Sequence, residues 1–131
     1  LNDQQQSRLQ KLGVSLVYLF GSYPEGYAGP LSDRDIAVLY KNPSMLGPDN
    51  IGETYYALYD FFTDVFPRKN VDIVFLQKAN LELRFDVIHY GMNLYQASLE
   101  ERLSFEERTT LLYADFKPIL TEMNEAIIER T

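Results

Sequence analysis

Two short apolar runs, separated by a stretch rich in glycine and proline, constrain this chain more than any other feature. The first run, residues 14–20, ends at Gly21-Ser22, and the second begins with Asp33-Arg34-Asp35 after ten intervening residues. Such runs predict buried strands, and the glycine predicts a tight turn at the end of the first. Because side chains alternate along a strand, Asp33 and Asp35 are expected on one face of the second. The sequence therefore predicts two carboxylates that converge where a buried strand begins.

Converging carboxylates repel each other unless a cation lies between them, and a divalent metal is the simplest such cation. The Gly21-Ser22 pair supplies a complementary feature, because glycine lets backbone approach a ligand and the serine hydroxyl and nearby amides can donate to phosphate oxygens. Magnesium combines a few carboxylate oxygens with substrate phosphates. An Asp-x-Asp beside a phosphate-binding turn therefore predicts metal-dependent chemistry on a nucleoside triphosphate.

A third carboxylate lies inside a later apolar run. Asp72 is embedded in residues 71–76, which follow the turn-like residues 67–70 and predict another strand. A charged residue in so hydrophobic a strand is rarely left buried and unpaired. Asp72 is therefore expected to have a partner.

These residues carry a resemblance to a known family. Gly21-Ser22, ten residues and Asp33-x-Asp35 resemble the signature of nucleotidyltransferases of the polymerase-beta superfamily, in particular the minimal nucleotidyltransferases paired with HEPN-domain toxins. The resemblance covers about the first hundred residues. It implies an α+β fold with a small mixed β-sheet flanked by helices and C-terminal helices. It also implies that Asp72 lies near Asp33 and Asp35, where it shares the metal or accepts the proton of the attacking hydroxyl.

The resemblance implies a specific activity. ATP would be the substrate, with its phosphates over Gly21 and Ser22, and two Mg²⁺ ions would be held by Asp33, Asp35 and Asp72. AMP would pass to a tyrosine hydroxyl of a partner HEPN ribonuclease toxin and silence it. The chain would then be a protein adenylyltransferase that acts as an antitoxin in a hetero-oligomer.

Two alternatives stay open at this stage. The chain could be a catalytically silent antitoxin that neutralises its partner by contact alone, through its acidic surface and helical tail. It could also be a nucleotidyltransferase that acts on a small-molecule hydroxyl, although only about 35 residues follow the core, which favours a site completed by a partner protein.

Composition limits which classes of binding partner and which cellular location are expected. The 131 residues carry 12 basic and 19 acidic side chains, a formal net charge of −7, which argues against a broad electrostatic contact with nucleic acid. Cysteine is absent, so disulfides and thiolate metal sites are excluded. No apolar run approaches the roughly 20 residues that span a bilayer, and the polar start is unlike a signal peptide. We therefore expect a cytoplasmic protein without membrane contact.

The rest of the chain predicts helices and one edge strand. Helices are expected over residues 3–12, 51–65 and 80–90, with a short strand at 92–96. Residues 1–97 are predicted to form the nucleotidyltransferase core, and residues 98–131 a helical extension that packs on the core or on a partner, within a single domain overall. In that extension Ser104–Glu107 matches a capping box, and Pro118 predicts a kink or a new helix start.

Several other residues have simpler structural interpretations. The aromatic stripe of the second helix is predicted to be core rather than a base-stacking surface. His89 is expected to complement a helix dipole. Arg34 is expected at the surface or sheet edge, turned away from the acids, whereas Arg84 could reach a phosphate or a partner.

Overall fold

The computed structural model describes the backbone of residues 1–21 and 34–130, and the side chains of residues 1–21 and 34–125. Short 3₁₀ turns lie at Pro43–Leu46 and Leu76–Lys78. The helices and strands follow in the order α1 (Asp3–Lys11), β1 (Val14–Phe20), β2 (Arg34–Tyr40), α2 (Ile51–Val65), β3 (Val71–Phe75), α3 (Leu81–Tyr90), β4 (Met92–Gln96) and α4 (Leu99–Arg130).

Within residues 1–21 and 34–130, four strands form one mixed sheet in the order β3-β2-β1-β4. Strands β2 and β3 are parallel, whereas β1 pairs antiparallel with both β2 and β4. The helices between β2 and β3 and after β3 lie against this sheet, so the predicted α+β class, with a small mixed sheet flanked by helices, is confirmed. The predicted edge strand at residues 92–96 is β4.

Helices cover both faces of the sheet. One apolar cluster joins α1 and α2 to the first face through Leu9, Leu58, Phe61 and Phe62. A second cluster joins α3 and α4 to the other face, and its buried members are Leu16, Tyr18, Ala37, Leu76, Val87 and Phe105. Because β1 and β2 are buried from both sides, their sequences are nearly continuous apolar runs rather than alternating ones.

Three helix ends follow the signals in the sequence. Asn2 and Gln5 form a reciprocal capping box at the start of α1, and Asn80 accepts a hydrogen bond from the Leu83 amide at the start of α3. Gly13, after α1, has a φ of 82°, a left-handed conformation that glycine adopts without strain. Local residue types therefore fix where these elements begin and end.

Of the two outcomes predicted at Pro118 in the C-terminal extension, a kink or a new helix start, the structure excludes the second. The extension is one helix, α4, and Pro118 lies inside it. The N-terminal cap of this helix is Ser98, whose Oγ accepts a hydrogen bond from the Glu101 amide at 3.1 Å, and not Ser104. Both serines begin the same four-residue pattern, but only Ser98 follows the end of a strand, so the helix starts there.

The first half of α4 is bound to the sheet. Phe105 and Thr109 are buried, and Tyr18 Oη on β1 donates to Glu106 Oε1 at 2.8 Å. Arg102 Nε donates to the same carboxylate oxygen at 3.0 Å. The extension therefore packs on its own core up to this point, while the division at residue 97 stays a prediction.

Alkaline pH should lower the stability of the fold, because two buried tyrosines resist ionisation. Burial, together with the Glu106 carboxylate, raises the pKa of Tyr18, and burial raises the pKa of Tyr40 to about 12. A pKa that is higher in the folded state contributes stability below about pH 10, the unfolded value, and that stability is lost as pH rises toward the folded value. We expect the free energy of unfolding, measured by urea titration, to fall from about pH 10 upward. The fall should be shallower in Tyr18→Phe, and an identical pH profile for both proteins would contradict the assignment.

Gly91 should tolerate no side chain. A Cβ there would overlap the Val87 carbonyl oxygen and lie 3.0 Å from the Leu19 carbonyl oxygen. Since both neighbours are backbone, we expect Gly91→Ala to lower the free energy of unfolding by about 1–3 kcal/mol. The matched control is Gly52→Ala in α2, where a Cβ meets nothing within 4 Å and the change should be neutral or stabilising by up to about 1 kcal/mol. Equal urea midpoints for the two variants would refute the close contact.

Candidate active site

The turn after β1 lies directly against a carboxylate of β2. Gly21 has a φ of 81°, in the left-handed region. A Cβ on this residue would overlap Asp35 Oδ2 and lie 3.1 Å from Asp35 Cγ. Glycine is therefore required here both for the backbone conformation and for the close approach to Asp35.

Strand register aligns Asp35 with a second acid. Phe20 of β1 is opposite Asp35 of β2, and Asp35 is opposite Asp72 of β3. Neighbouring strands lie about 4.8 Å apart, and residues in register share a face of the sheet. The two carboxylates therefore lie side by side at the end of the sheet where β1 ends and β2 and β3 begin.

Burial differs between the two acids. Asp35 is partly buried, and Asp72 is exposed even though Val71 and Ile73 on either side of it are buried. By alternation along β2, Asp35 shares the face of Ala37, which packs with α3 and α4. The pair therefore combines one carboxylate fixed in the fold with one that is open to solvent.

The remaining predicted site residues, Ser22 and Asp33, lie outside the described residues. Within residues 1–21 and 34–130, no group of three or more histidine, cysteine, aspartate or glutamate side chains is arranged to hold a metal ion. The described part of the chain contributes Asp35 and Asp72 to the predicted set of three. Two adjacent carboxylates beside a turn without a side chain are a donor set that suits a divalent cation.

Arg34 differs from its prediction. It lies on the opposite face from Asp35, as alternation requires, but it is only 7% exposed rather than at the surface. Its guanidinium carbon lies 5.6 Å from the centroid of the Phe66 ring. Phe66 follows the last residue of α2, so the end of that helix covers Arg34, a long-range contact that no local pattern indicates.

Arg84 does not belong to the carboxylate site. It lines a cleft with Leu39, Tyr40 and Leu76, at the end of β2 opposite to Asp35. Leu39 is four positions after Asp35 along the strand, a distance of roughly 13 Å. Arg84 is therefore not placed to contact a phosphate held beside Asp35.

His89 is exposed on α3 and contacts neighbouring aromatic rings. It lies in the last turn of α3, as predicted, and its ring stacks on Phe85 at 5.3 Å. Tyr113 of α4 stacks on Phe85 at 4.1 Å. The histidine therefore takes part in the packing of α3 near its contact with α4.

Sequence reasoning missed the residues at the junction of α3 and β4. Gly91, which ends α3, approaches the backbone of Leu19, two residues before Gly21. Tyr90, which precedes it, is 65% exposed. The only sequence signal for this junction was an aromatic residue next to a glycine that ends a helix. That pattern does not indicate which strand lies beside the glycine.

A mixed sheet that brings strand carboxylates beside a glycine turn defines a class, the polymerase-beta-like nucleotidyltransferase fold. The family described as "Polymerase beta, Nucleotidyltransferase" matches residues 4–100, and the chain belongs to that family. The match includes Gly21, Asp35 and Asp72. Comparison with curated proteins gives no significant match.

Solved structures of similar fold cover nearly the whole chain. One is a toxin–antitoxin with AMP-PNP, at 26% identity and a TM-score of 0.70 over 98% of this chain and 99% of that chain. Another is a tri-AMPylated Shewanella oneidensis HEPN toxin in complex with MNT antitoxin, at 23% identity and a TM-score of 0.65 over the same shares. A third is the toxin–antitoxin MntA-HepT, at 22% identity and a TM-score of 0.63 over 97% and 99%. These similar structures agree with the resemblance to minimal nucleotidyltransferases that the motif residues indicated.

The length and polarity of the helices bear on whether any of them could cross a bilayer. In the part of the chain that the structure describes, each helix is too short or too polar to cross a membrane.

Proposed function

We propose that this chain is a metal-dependent nucleotidyltransferase that moves AMP from ATP to a tyrosine hydroxyl of a HEPN ribonuclease toxin, and so acts as its antitoxin. The observation that carries the proposal is the contact of the Gly21 turn with Asp35, which is in register with Asp72. Family membership supports nucleotidyl transfer in general. The toxin–antitoxin neighbours, one with AMP-PNP and one with an AMPylated toxin, support an adenine nucleotide and a HEPN toxin as the partner. The choice of a tyrosine as acceptor follows from the resemblance to minimal nucleotidyltransferases.

The metal would be Mg²⁺, held by Asp35 and Asp72 together with Asp33. When bound, it neutralises charge on the phosphate oxygens and lowers the pKa of an attacking hydroxyl. Asp35 suits the role of a fixed ligand because the Gly21 backbone packs against its carboxylate. A ligand held in one position loses little entropy when the ion binds.

In the proposed reaction, the tyrosine oxygen forms a bond to the α-phosphorus of ATP. The bond between that phosphorus and the bridging oxygen to the β-phosphorus breaks, and pyrophosphate leaves with the electron pair. Asp72, the exposed carboxylate of the pair, accepts the phenolic proton. Gly21 and Ser22 would hold the phosphates through backbone amides and a hydroxyl, which orients the α-phosphorus for in-line attack.

The test is the intact mass of the purified cognate HEPN toxin after incubation with this protein, ATP and magnesium. A gain of one or more AMP units, lost when EDTA removes the metal, is the expected result. The ribonuclease activity of the same samples should fall in step with the mass gain. A toxin that is silenced without any gain in mass would instead identify an antitoxin that acts by contact alone.

A further inference from the structure

The face of α4 that packs on the core continues beyond it. Phe105 and Thr109 are 8% and 2% exposed against the sheet. The same face then carries four apolar residues that we call the α4 seam: Leu112, Phe116, Ile119 and Met123, which are 37%, 46%, 49% and 57% exposed. The apolar face of α4 therefore extends beyond the part of the helix that the sheet covers.

The spacing of this face identifies the shape of what would cover it. From Phe105 through Thr109 to Met123 the residues are separated alternately by four and three positions. This spacing is typical of a helix that packs against another helix through knobs and holes. The α4 seam spans three turns, about 16 Å of helix. A groove of about 470 Å³ adjoins it between α3 and α4, lined by Asn80, Leu81, Glu82, Arg84, Leu112, Phe116 and Leu120.

Charge beside the α4 seam distinguishes between two kinds of occupant. Asp115 and Glu122 are seven residues apart on one flank, whereas the groove is lined by one acid and one base, Glu82 and Arg84. Among the described residues, neither Asp115 nor Glu122 has a basic side chain within ion-pair distance. A second copy of this chain, with its net charge of −7, would add acidic surface to acidic surface. A helix with lysine or arginine beside its apolar stripe is complementary.

We propose that the α4 seam docks an amphipathic helix of the toxin, with basic residues facing Asp115 and Glu122; this inference rests on the proposed function. The core-packed half of α4 lies on the sheet face that carries Asp35. A toxin held by the same helix is therefore held on the sheet face of Asp35, with the groove beside the α4 seam toward the opposite end of β2, where Arg84 lies. Docking converts AMP transfer into a reaction within a complex, at a high effective concentration of the acceptor tyrosine.

The test compares two substitutions on α4 that add the same charge. Ile119→Glu places a carboxylate on the α4 seam, and Leu111→Glu places one at a position that is 59% exposed and off the seam. Glutamate is a good helix former, so both variants should keep the circular dichroism of the wild type. We expect Ile119→Glu to raise Kd and KM for the toxin by about 10-fold or more, with kcat at saturating toxin unchanged. Leu111→Glu should stay within about twofold of wild type.

A second variant tests the charge. Asp115→Lys combined with Glu122→Lys should slow association with the toxin, and added salt should slow wild-type association while affecting the variant less. An association rate that neither the substitutions nor salt change would overturn the basic flank of the docked helix.

The outcomes separate the two proposals. If wild type binds and AMPylates the toxin and Ile119→Glu does so equally well, the docking proposal is overturned and the proposed function stands. If wild type neither binds nor modifies the toxin, both are overturned. Light scattering of the chain alone supplies one more outcome: a wild-type dimer that Ile119→Glu converts to a monomer assigns the α4 seam to a second copy and overturns the toxin helix.

Discussion

Replacing Asp35 with asparagine is expected to lower the rate of AMP transfer by about 10³-fold, equivalent to about 4 kcal/mol of transition-state stabilisation. The substitution keeps the shape of the side chain and removes the charge that would hold the metal. The fold should survive because Asp35 is only partly buried and lies at the start of β2. The measurement is the single-turnover rate of AMP addition to the toxin, followed by intact mass.

The control for this prediction is Asp60→Asn. Asp60 is exposed on α2, which packs on the opposite face of the sheet from Asp35. Asp60→Asn removes the same charge from the chain without changing the carboxylate pair. The rate of AMP transfer by this variant should therefore stay within about twofold of wild type. A similar loss in both variants would point to net charge, rather than to a site at Asp35, as the property that matters.

Adding one methyl group at Gly21 should have the second largest effect. A Cβ there overlaps Asp35 Oδ2, and a carboxylate at the end of a side chain can rotate away. We therefore expect Gly21→Ala to displace Asp35 and slow AMP transfer by about 100-fold, while the protein stays folded. The left-handed φ of 81° adds a loss of about 1–2 kcal/mol in the free energy of unfolding.

Gly13→Ala separates these two effects. Gly13 has nearly the same φ, 82°, but a Cβ on it meets nothing within 4 Å. Both variants should lose similar stability in a urea titration, whereas only Gly21→Ala should lose activity. Equal activity losses would show that backbone strain alone explains the result and that contact with Asp35 is not required.

Much of the fold could be predicted because its signals are local. The caps at Asn2 and Asn80 and the stop at Gly13 act on the turns of helix beside them. Strands β1, β2 and β3 lie where short apolar runs predicted them, and β4 lies at the predicted edge strand. The helix cap in the extension was predicted at Ser104 rather than Ser98, because the pattern Ser-x-x-Glu occurs at both residues. Only the preceding strand decides which of the two begins a helix.

The sequence by itself determined the elements, the glycine turn and the presence of an acid in each of two predicted strands. Tertiary structure decided that Asp35 and Asp72, 37 positions apart, are directly opposite each other, and that the Gly21 backbone touches the first of them. It also buried Arg34 and left the α4 seam uncovered. The reason is physical: caps and turns depend on neighbours within a few residues, whereas strand register and burial depend on which distant apolar faces pack together.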